Sequence, residues 1–304
     1  MRIVFMGTPD FAVPSLEALA QVHEVSLVFT RPDAVRGRGR KLVPSPVKAR
    51  AVELDIPVFE ATRMSAEALE AINAAQPDVI VVAAYGCLLP DEVLTAAQYG
   101  CINVHASLLP RGRGAAPIQR AVLEGDERAG VSIMRLVRKM DAGAYCRQAS
   151  VEVDDKDCTT VMAELAKLGA HELLEALSAI EDGSVEWIEQ DEALVTYAPK
   201  IEKTEMLLDP TDSAAHNVRR VRASMDAAPA RLLVADKGVR ALAAHEVDQA
   251  LDAGTVLVRK GRVMLGCAEG SLELDRVKPD GKREMDATAW ASGLRGAGIV
   301  WKRA

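Results

Sequence analysis

The chain has 304 residues, 49% hydrophobic and 27% charged, with 44 acidic against 37 basic side chains and a net charge of −7. That length suits two domains or one large one, and the apolar share supports a full core without disulfides. The acidic total excludes a chain that is basic all over, but the charge is uneven: residues 1–150 sum to +1, residues 151–205 to −11 and residues 206–304 to +3.

The first half alternates short apolar runs with helical stretches. Arg2–Met6 reads as a strand ending at Gly7, and Val13–Val22 has helical spacing. Val25–Thr30 reads as a strand, Pro46–Leu54 as a helix with proline in its first turn, Pro57–Phe59 as a strand and Ala66–Ala75 as a helix. The run Val79–Ala84 is apolar throughout, as a strand buried on both faces must be. Helix Asp91–Ala97, strand Cys101–His105 and helix Ala116–Glu124 follow. This rhythm predicts an α/β fold with a doubly wound, mostly parallel sheet, whose ligands gather at the carboxyl ends of the strands.

After Gly143 the rhythm changes. Gln148–Val153 reads as a strand and Thr159–Ile180 as a long amphipathic helix ending near Asp182-Gly183. Val185 to about Glu205 is acidic and irregular, which suggests a linker. A helix fits Asp212–Ser224, with Asp212 or Ser213 as N-cap. Five short runs then suggest a small antiparallel barrel: Ala230–Val234, Val239–Ala244, Gly254–Arg259, Arg262–Leu265 and Leu272–Val277. The division predicted is a first domain over 1–188, a linker over 189–206 and a smaller barrel domain over 207–304.

Other classes fall away. No apolar run approaches the roughly 18 residues of a membrane helix, and the run before Gly7 is too short for a signal peptide. Five cysteines without CxxC spacing suit a reducing cytosol and argue against a disulfide scaffold or zinc ribbon. The first turn, Met6-Gly7-Thr8-Pro9, has one glycine where a dinucleotide fingerprint needs more, and Pro9 removes a phosphate donor. Arg36-Gly37-Arg38-Gly39-Arg40-Lys41 lacks the spacing of a Walker loop.

Two features carry chemistry. Asn103 and His105 stand two apart on one strand, so their side chains leave the same face at its carboxyl end. The loop Leu109-Pro110-Arg111-Gly112-Arg113-Gly114 follows, and Met140-Asp141-Ala142-Gly143 puts a carboxylate in a turn. A strand-end histidine is often structural, but an Asn-x-His before a Pro/Gly loop points to a site. Neither His105 nor Asp141 has neighbours at metal-ligand spacing, so no metal is expected. The second feature is the stretch Arg31–Arg50, with seven basic residues against one acid, Asp33. Its Gly and Pro breaks and forked guanidinium groups suit phosphates or base edges.

These segments resemble the methionyl-tRNA formyltransferase family, one of the 10-formyltetrahydrofolate-dependent formyltransferases. The resemblance rests on Asn103-Val104-His105-Ala106-Ser107-Leu108-Leu109-Pro110, Arg113-Gly114-Ala115-Ala116-Pro117-Ile118-Gln119, Asp141-Ala142-Gly143 and Met6-Gly7-Thr8-Pro9-Asp10-Phe11-Ala12. The basic run from Gly37 to Lys48, Ala84-Tyr85-Gly86, and Leu194-Val195-Thr196-Tyr197-Ala198-Pro199-Lys200 add to it. It weakens after about residue 205.

The resemblance implies transfer of a formyl group from 10-formyltetrahydrofolate, as cosubstrate, to the α-amino group of methionyl initiator tRNA. It makes Asn103 and His105 donors to the formyl oxygen, and Asp141 the group that orients the imidazole and helps remove the amine proton. Ser107, Leu108, Leu109 and Pro110 would line the folate site, and Tyr85, Gly86 and Leu88 its pterin wall. Arg36, Arg38, Arg40 and Lys41 would meet the tRNA acceptor stem, Lys200 would lie near the tRNA end, and the barrel would add a mild electrostatic contact. A cytoplasmic monomer acting on small-molecule folate and tRNA, with no membrane, is expected.

The chain departs from the family pattern at Gly112, where an aromatic residue usually stands, and over Ala223–Arg231, usually aromatic and proline-rich. A sugar-nucleotide formyltransferase would share the three polar residues but has no use for the arginine loop. A purine-pathway formyltransferase would stop near residue 200. An NAD-dependent dehydrogenase lacks its fingerprint here, and a non-catalytic RNA-binding module would not need all three polar matches.

Overall fold

The computed structural model describes residues 1–36, 41–294 and 298–304. It divides into two units, one of Met1–Pro117, Ala129–Glu152 and Met162–Ala198, the other of Ile118–Arg128, Val153–Val161 and Pro199–Ala304.

The first unit is built on strands β1 (Arg2–Gly7) and β2 (Glu24–Thr30), joined by helix α1 (Val13–Val22). A two-stranded ribbon follows, β3 (Ala34–Arg36) with β4 (Lys41–Val43), then α2 (Pro46–Glu53), β5 (Val58–Glu60), α3 (Ala66–Ala75), β6 (Val79–Ala83), α4 (Asp91–Leu94) and β7 (Cys101–His105). Next come α5 (Pro117–Glu124), β8 (Arg128–Arg135), β9 (Tyr145–Glu152) and α6 (Cys158–Asp182). The sheet order is β5-β2-β1-β6-β7-β8-β9. The first five strands run parallel and β8 pairs antiparallel with β7. The chain works outward from β1 through β2 to β5, then returns to lay β6 and β7 on the other side. The switch point therefore lies between β1 and β6, and β7 is the next strand over.

The caps are local chemistry. Ser45 accepts from the Lys48 N–H at 3.0 Å and Ser65 from the Ala68 N–H at 3.2 Å, starting α2 and α3 where the sequence predicts. Every residue of β6 and β7 is buried, which explains the unbroken apolar run of β6 and makes Asn103 and His105 buried polar groups at the end of β7.

Strand β8 is the longest of the elements that the sequence does not disclose. Its six inner residues, Ala129–Met134, are all buried, so it shows no period-two alternation. Gly130 and Ser132 also interrupt its apolar run, and both serve the site described below. The Arg36↔Lys41 pairing of β3 with β4 is likewise absent from the reading.

The second unit carries α7 (Ala214–Arg222) and strands β10 (Arg231–Val234), β11 (Lys237–Val247), β12 (Val256–Arg259), β13 (Arg262–Gly266) and β14 (Ser271–Pro279). It ends with β15 (Met285–Asp286), α8 (Ala287–Ala291) and β16 (Trp301–Lys302). Ser213 caps α7 by accepting from the His216 N–H at 3.1 Å. The sheet order β12-β13-β14-β11-β10-β16 is antiparallel throughout. It comes round on itself: Thr255, just before β12, bridges Val300, just before β16. Two register shifts in β11 bend it enough to serve both sides of the barrel. Trp301 is buried among Leu232, Val234 and Val256, and its indole N–H donates to the Gly266 carbonyl at 2.9 Å.

The division differs from the predicted one in the middle of the chain. Residues 118–128, with most of α5, group with the barrel. Gln119 donates to the Ala223 carbonyl at 2.7 Å and Arg120 forks onto Glu205 at 2.7 and 3.1 Å. The predicted linker is split: its residues through Ala198 belong with the first unit. Arg113 there receives the Ala198 N–H at 2.7 Å and gives its own N–H to the Thr196 carbonyl at 3.0 Å.

Candidate active site

Strand β7 delivers Asn103 and His105 to the carboxyl edge of the sheet, 9% and 5% exposed. Their separation of two places them on one face. Among the described residues no hydrogen bond engages the Asn103 amide, which leaves its N–H groups available. The His105 Nε2 lies 3.1 Å from the Gly112 carbonyl. A carbonyl only accepts, so Nε2 carries the proton and donates. Nδ1 therefore presents its lone pair, and it faces Asp141 Oδ1 at 3.8 Å. Burial pushes the imidazole below its ordinary value, against the raising pull of the Asp141 carboxylate and the Gly112 carbonyl. The ring is thus neutral at pH 7, with one nitrogen a donor and the other a proton acceptor beside a carboxylate.

Asp141 is held in turn. Its Oδ2 accepts from the Gly114 N–H at 2.9 Å. Two glycines make this possible. Gly112 adopts φ +73, and a Cβ there would come 3.0 Å from the Ser107 Cβ. Gly114 adopts φ +129, and a Cβ there would come 2.7 Å from the Ala198 carbonyl oxygen. At Gly114 only glycine combines that angle with that space, whereas at Gly112 a side chain would need Ser107 to give way. Gly112, where the chain departs from the family pattern, supplies the backbone carbonyl that meets His105.

The segment Ser107–Pro110 is fastened to the sheet. Buried Ser132 on β8 donates to the Ser107 carbonyl at 2.6 Å and accepts from the Leu109 N–H at 3.1 Å. Gln148 on β9 donates to the Leu109 carbonyl and to Ser132 Oγ, each at 2.8 Å. Ser107 Oγ closes the turn onto the Arg111 carbonyl at 2.7 Å. Leu108 lies over Gly130, where a Cβ would come 2.3 Å from its Cγ, and the Leu109–Pro110 peptide is cis.

Ser132 and Gln148 are absent from the site residues expected from the sequence, and Gly112 and Gly114 enter there only as members of the Pro/Gly loop and its motif. Their one legible signal is polar or glycine residues inside runs that otherwise read as apolar strand or loop.

The other expected site residues are dispersed. Tyr85 is 2% exposed, and its ring belongs to the core cluster with Val4, Met6 and Phe29. Its contribution outward is its backbone carbonyl, which accepts from Thr8 Oγ1 at 3.1 Å. Gly86 turns the chain at φ +74, and Leu88 is 88% exposed. Arg38 and Arg40 lie outside the described residues. Arg36 and Lys41 face each other in the backbone register of the ribbon. Lys200, in the second unit, is exposed, and its carbonyl accepts from Arg120 at 3.3 Å.

Among the described residues no group of three or more His, Cys, Asp or Glu is placed to hold a metal. No helix among them is long and apolar enough to cross a membrane.

Residues 1–177 match the family model described as formyl transferase, and residues 200–295 match that of the formyl transferase C-terminal domain. The chain is 45% identical to the methionyl-tRNA formyltransferase of Methylococcus capsulatus over 292 residues, covering 94% of this chain and 95% of that one. It is 44% identical to the methionyl-tRNA formyltransferase of Halorhodospira halophila over 300 residues, covering 97% and 96%. Among solved structures it resembles HypX from Aquifex aeolicus in complex with tetrahydrofolic acid, at TM-score 0.67 and 18% identity. That match covers 95% of this chain and 46% of HypX, so the chain spans just under half of that protein. An N-formyltransferase from Helicobacter canadensis, in complex with folinic acid and dTDP-3-aminofucose, aligns at TM-score 0.66 and 14% identity, covering 90% and 98%. At these identities the structural likeness shows a shared fold.

Proposed function

The chain belongs to the formyltransferase family, among the methionyl-tRNA formyltransferases, and on that premise we propose how its own residues carry the reaction. The formyl group of 10-formyltetrahydrofolate passes to the α-amino group of methionyl initiator tRNA, giving the formylated tRNA used to start translation. One observation carries the assignment of roles: His105 sits with its Nε2 3.1 Å from the Gly112 carbonyl and its Nδ1 3.8 Å from the Asp141 carboxylate.

The residues present fit a formyl donor. Asn103 offers an amide with no protein acceptor among the described residues, and its neighbour on the same face holds its proton only against a carbonyl. Folate supplies the reactive formyl carbon. The fastened Ser107–Pro110 segment forms one wall of its site, with Gly86 and Leu88 at the end of β6 on another. Tyr85 supports that wall from the core.

A free α-amine has a pKa of roughly 8, so a useful fraction is nucleophilic at neutral pH. As the amine adds to the formyl carbon, negative charge grows on the formyl oxygen. Asn103 donates to it, and His105 Nε2–H transfers to it from the Gly112 carbonyl, which it resembles as an acceptor. Asp141, with Nδ1 behind it, accepts the proton of the amine and returns it to N10 as the N10–formyl bond breaks.

Arg36, Arg38, Arg40 and Lys41 contact the acceptor stem through phosphates and base edges, Lys200 lies near the tRNA end, and the barrel contributes a salt-sensitive contact. The enzyme works as a cytoplasmic monomer, which light scattering would report as about the 32.6 kDa of one chain.

The test is a formylation assay with charged initiator tRNA, charged elongator tRNA and a sugar-nucleotide amine. Formylation of the initiator alone is the expected result. Formylation of the sugar amine with neither tRNA modified would overturn the reading.

A further inference from the structure

The turn carrying Asp141 has a left-handed backbone, φ +48, which L-residues disfavour. Something must hold it there, and the carboxylate's bond to Gly114 fixes only one end of the residue. The other end meets Gln190. Its side-chain Nε2 donates to the Asp141 carbonyl at 2.8 Å and to the Gly143 carbonyl at 2.7 Å. Those two carbonyls flank the turn, and the two hydrogens of one amide span it.

The orientation of that amide is forced. Gln190 Oε1 accepts from Arg113 Nε at 2.9 Å, and a guanidinium only donates. Arg113 has a side chain 0% exposed, and its Nη2 also donates to Glu192 Oε1 at 3.0 Å. Its neighbour Gly114 supplies the N–H that holds the Asp141 carboxylate. The bonds therefore close a ring: carboxylate to Gly114, along the chain to Arg113, across to Gln190, and back to the carbonyl of Asp141. A part-buried ring of linked hydrogen bonds fixes geometry more tightly than its members would singly.

We propose that Gln190 is the positioning residue for Asp141, holding its turn so that the carboxylate faces His105 Nδ1. The proposal rests on the role assigned to Asp141 above. Gln190 touches no reacting atom; it acts through the turn. A residue that only anchored the 190–198 segment would need the Arg113 bond and nothing else, which separates the two possibilities.

The deciding variant is Gln190→Glu. It keeps an oxygen for Arg113, so the anchor survives, but it turns a second acceptor on two carbonyls that can only accept. Gln190→Met, of similar length, removes both interactions. Initial-rate kinetics should show kcat falling roughly 10- to 100-fold in both variants, the size expected for misplacing a reacting group by about 1 Å. KM for 10-formyltetrahydrofolate and for methionyl-tRNA should stay at parent values, because neither binding surface is altered. Should Gln190→Met fail to fold, Gln190→Glu decides alone.

Parent-level kcat in Gln190→Glu, or a loss confined to KM, would overturn the proposal. Asp141→Asn run beside them keeps the two readings apart. If it is impaired while Gln190→Glu is not, only the positioning role fails. If Asp141→Asn itself turns over at the parent rate, the role given to Asp141 fails.

Discussion

The end of β7 and the basic stretch Arg31–Arg50 handle charge in opposite ways. At the end of β7 the polar groups are buried, the imidazole is kept neutral, and each donor has a stated target or stands free for one. Along Arg31–Arg50 seven cations crowd twenty residues, and those flanking the ribbon are already engaged. Arg31 donates to the Thr62 and Gly86 carbonyls at 3.1 and 3.3 Å. Lys48 lies 2.8 Å from Asp33 and 3.0 Å from Glu60, and hydrogen bonds to those two carboxylates raise its pKa. Arg50 lies 2.7 Å from both Glu17 and Glu53. The base of the stretch thus fixes its own charge, and the residues proposed to meet RNA are those between, Arg36 to Lys41. Buried donors act on one oxygen and are little screened, whereas exposed cations act on many phosphates and weaken as salt rises. The contrast predicts that mutations in the two regions will separate by size and by salt dependence.

The largest effect is expected at His105. His105→Ala should lower kcat by on the order of 10² or more, the loss seen when an oxyanion donor is removed. Asp141→Asn should cost about as much by removing a proton acceptor, while its remaining carbonyl can still receive the Gly114 N–H. Single-turnover formylation at low and high salt checks both, and the fold-loss should be the same at each salt. A loss below tenfold at His105 would break the assignment.

The pH dependence follows in part from the same residue. The substrate amine sets a first acid limb of kcat/KM near its own pKa of roughly 8, and the depressed pKa of His105 adds a second, steeper loss only below 6.5, the ordinary histidine value, because the neutral ring is the active form. Stability moves in the same sense. Below about pH 6.5 the unfolded chain binds a proton that buried His105 resists, so stability declines as pH falls through that range. His105→Gln should lessen that decline in urea melts between pH 7 and 5, with the lowered His23 and His216 contributing the remainder.

Particular elements explain what could be read from the sequence. Strand β7 was legible because five consecutive buried residues carry Asn103 and His105 two apart at its end. The five central barrel strands were legible from their alternation and turns. Strand β8 was not, because burial on both faces removes alternation and Gly130 and Ser132 disrupt what is left. β16, two residues long, is defined by its partner strand and not by its own pattern. The ring of Tyr85 sits in the core although its backbone stands at the end of β6, since a strand-end aromatic does not announce its direction. The acidic stretch 189–206 reads as a linker because its pairing partners, chiefly Arg113, lie some eighty residues earlier. Gln190 is invisible for the same reason: its role depends on three partners brought together only by folding.

A smaller effect is expected at Ser132, which serves the site without touching the reacting atoms. Ser132→Ala removes the donor to the Ser107 carbonyl and the acceptor for the Leu109 N–H and Gln148. Unmade buried hydrogen bonds cost roughly 1–3 kcal/mol, so folate affinity should fall about tenfold, measured by calorimetry with a folate analogue. The fall should not vary with salt. Unchanged folate affinity with a lowered melting temperature would assign Ser132 to stability alone.

The smallest effect, and the one that separates the two regions most sharply, belongs to the basic stretch Arg31–Arg50. Arg38→Ala should leave the KM for folate unchanged and reduce kcat/KM for methionyl-tRNA several-fold, within the roughly 1–3 kcal/mol of a lost guanidinium contact. The discriminating measurement is the slope of log affinity for tRNA against log salt. Each phosphate contact removed should make that slope shallower by nearly one. A shallower slope at unchanged discrimination would mean that Arg38 holds a phosphate. Weaker discrimination between initiator and elongator tRNA at constant slope would mean that it reads a base edge. His105→Ala should leave both the slope and the discrimination in tRNA binding at their parent values, because a neutral buried ring releases no counterions. If His105→Ala and Arg38→Ala changed the salt slope alike, the division of labour between the buried donors and the basic stretch would be wrong.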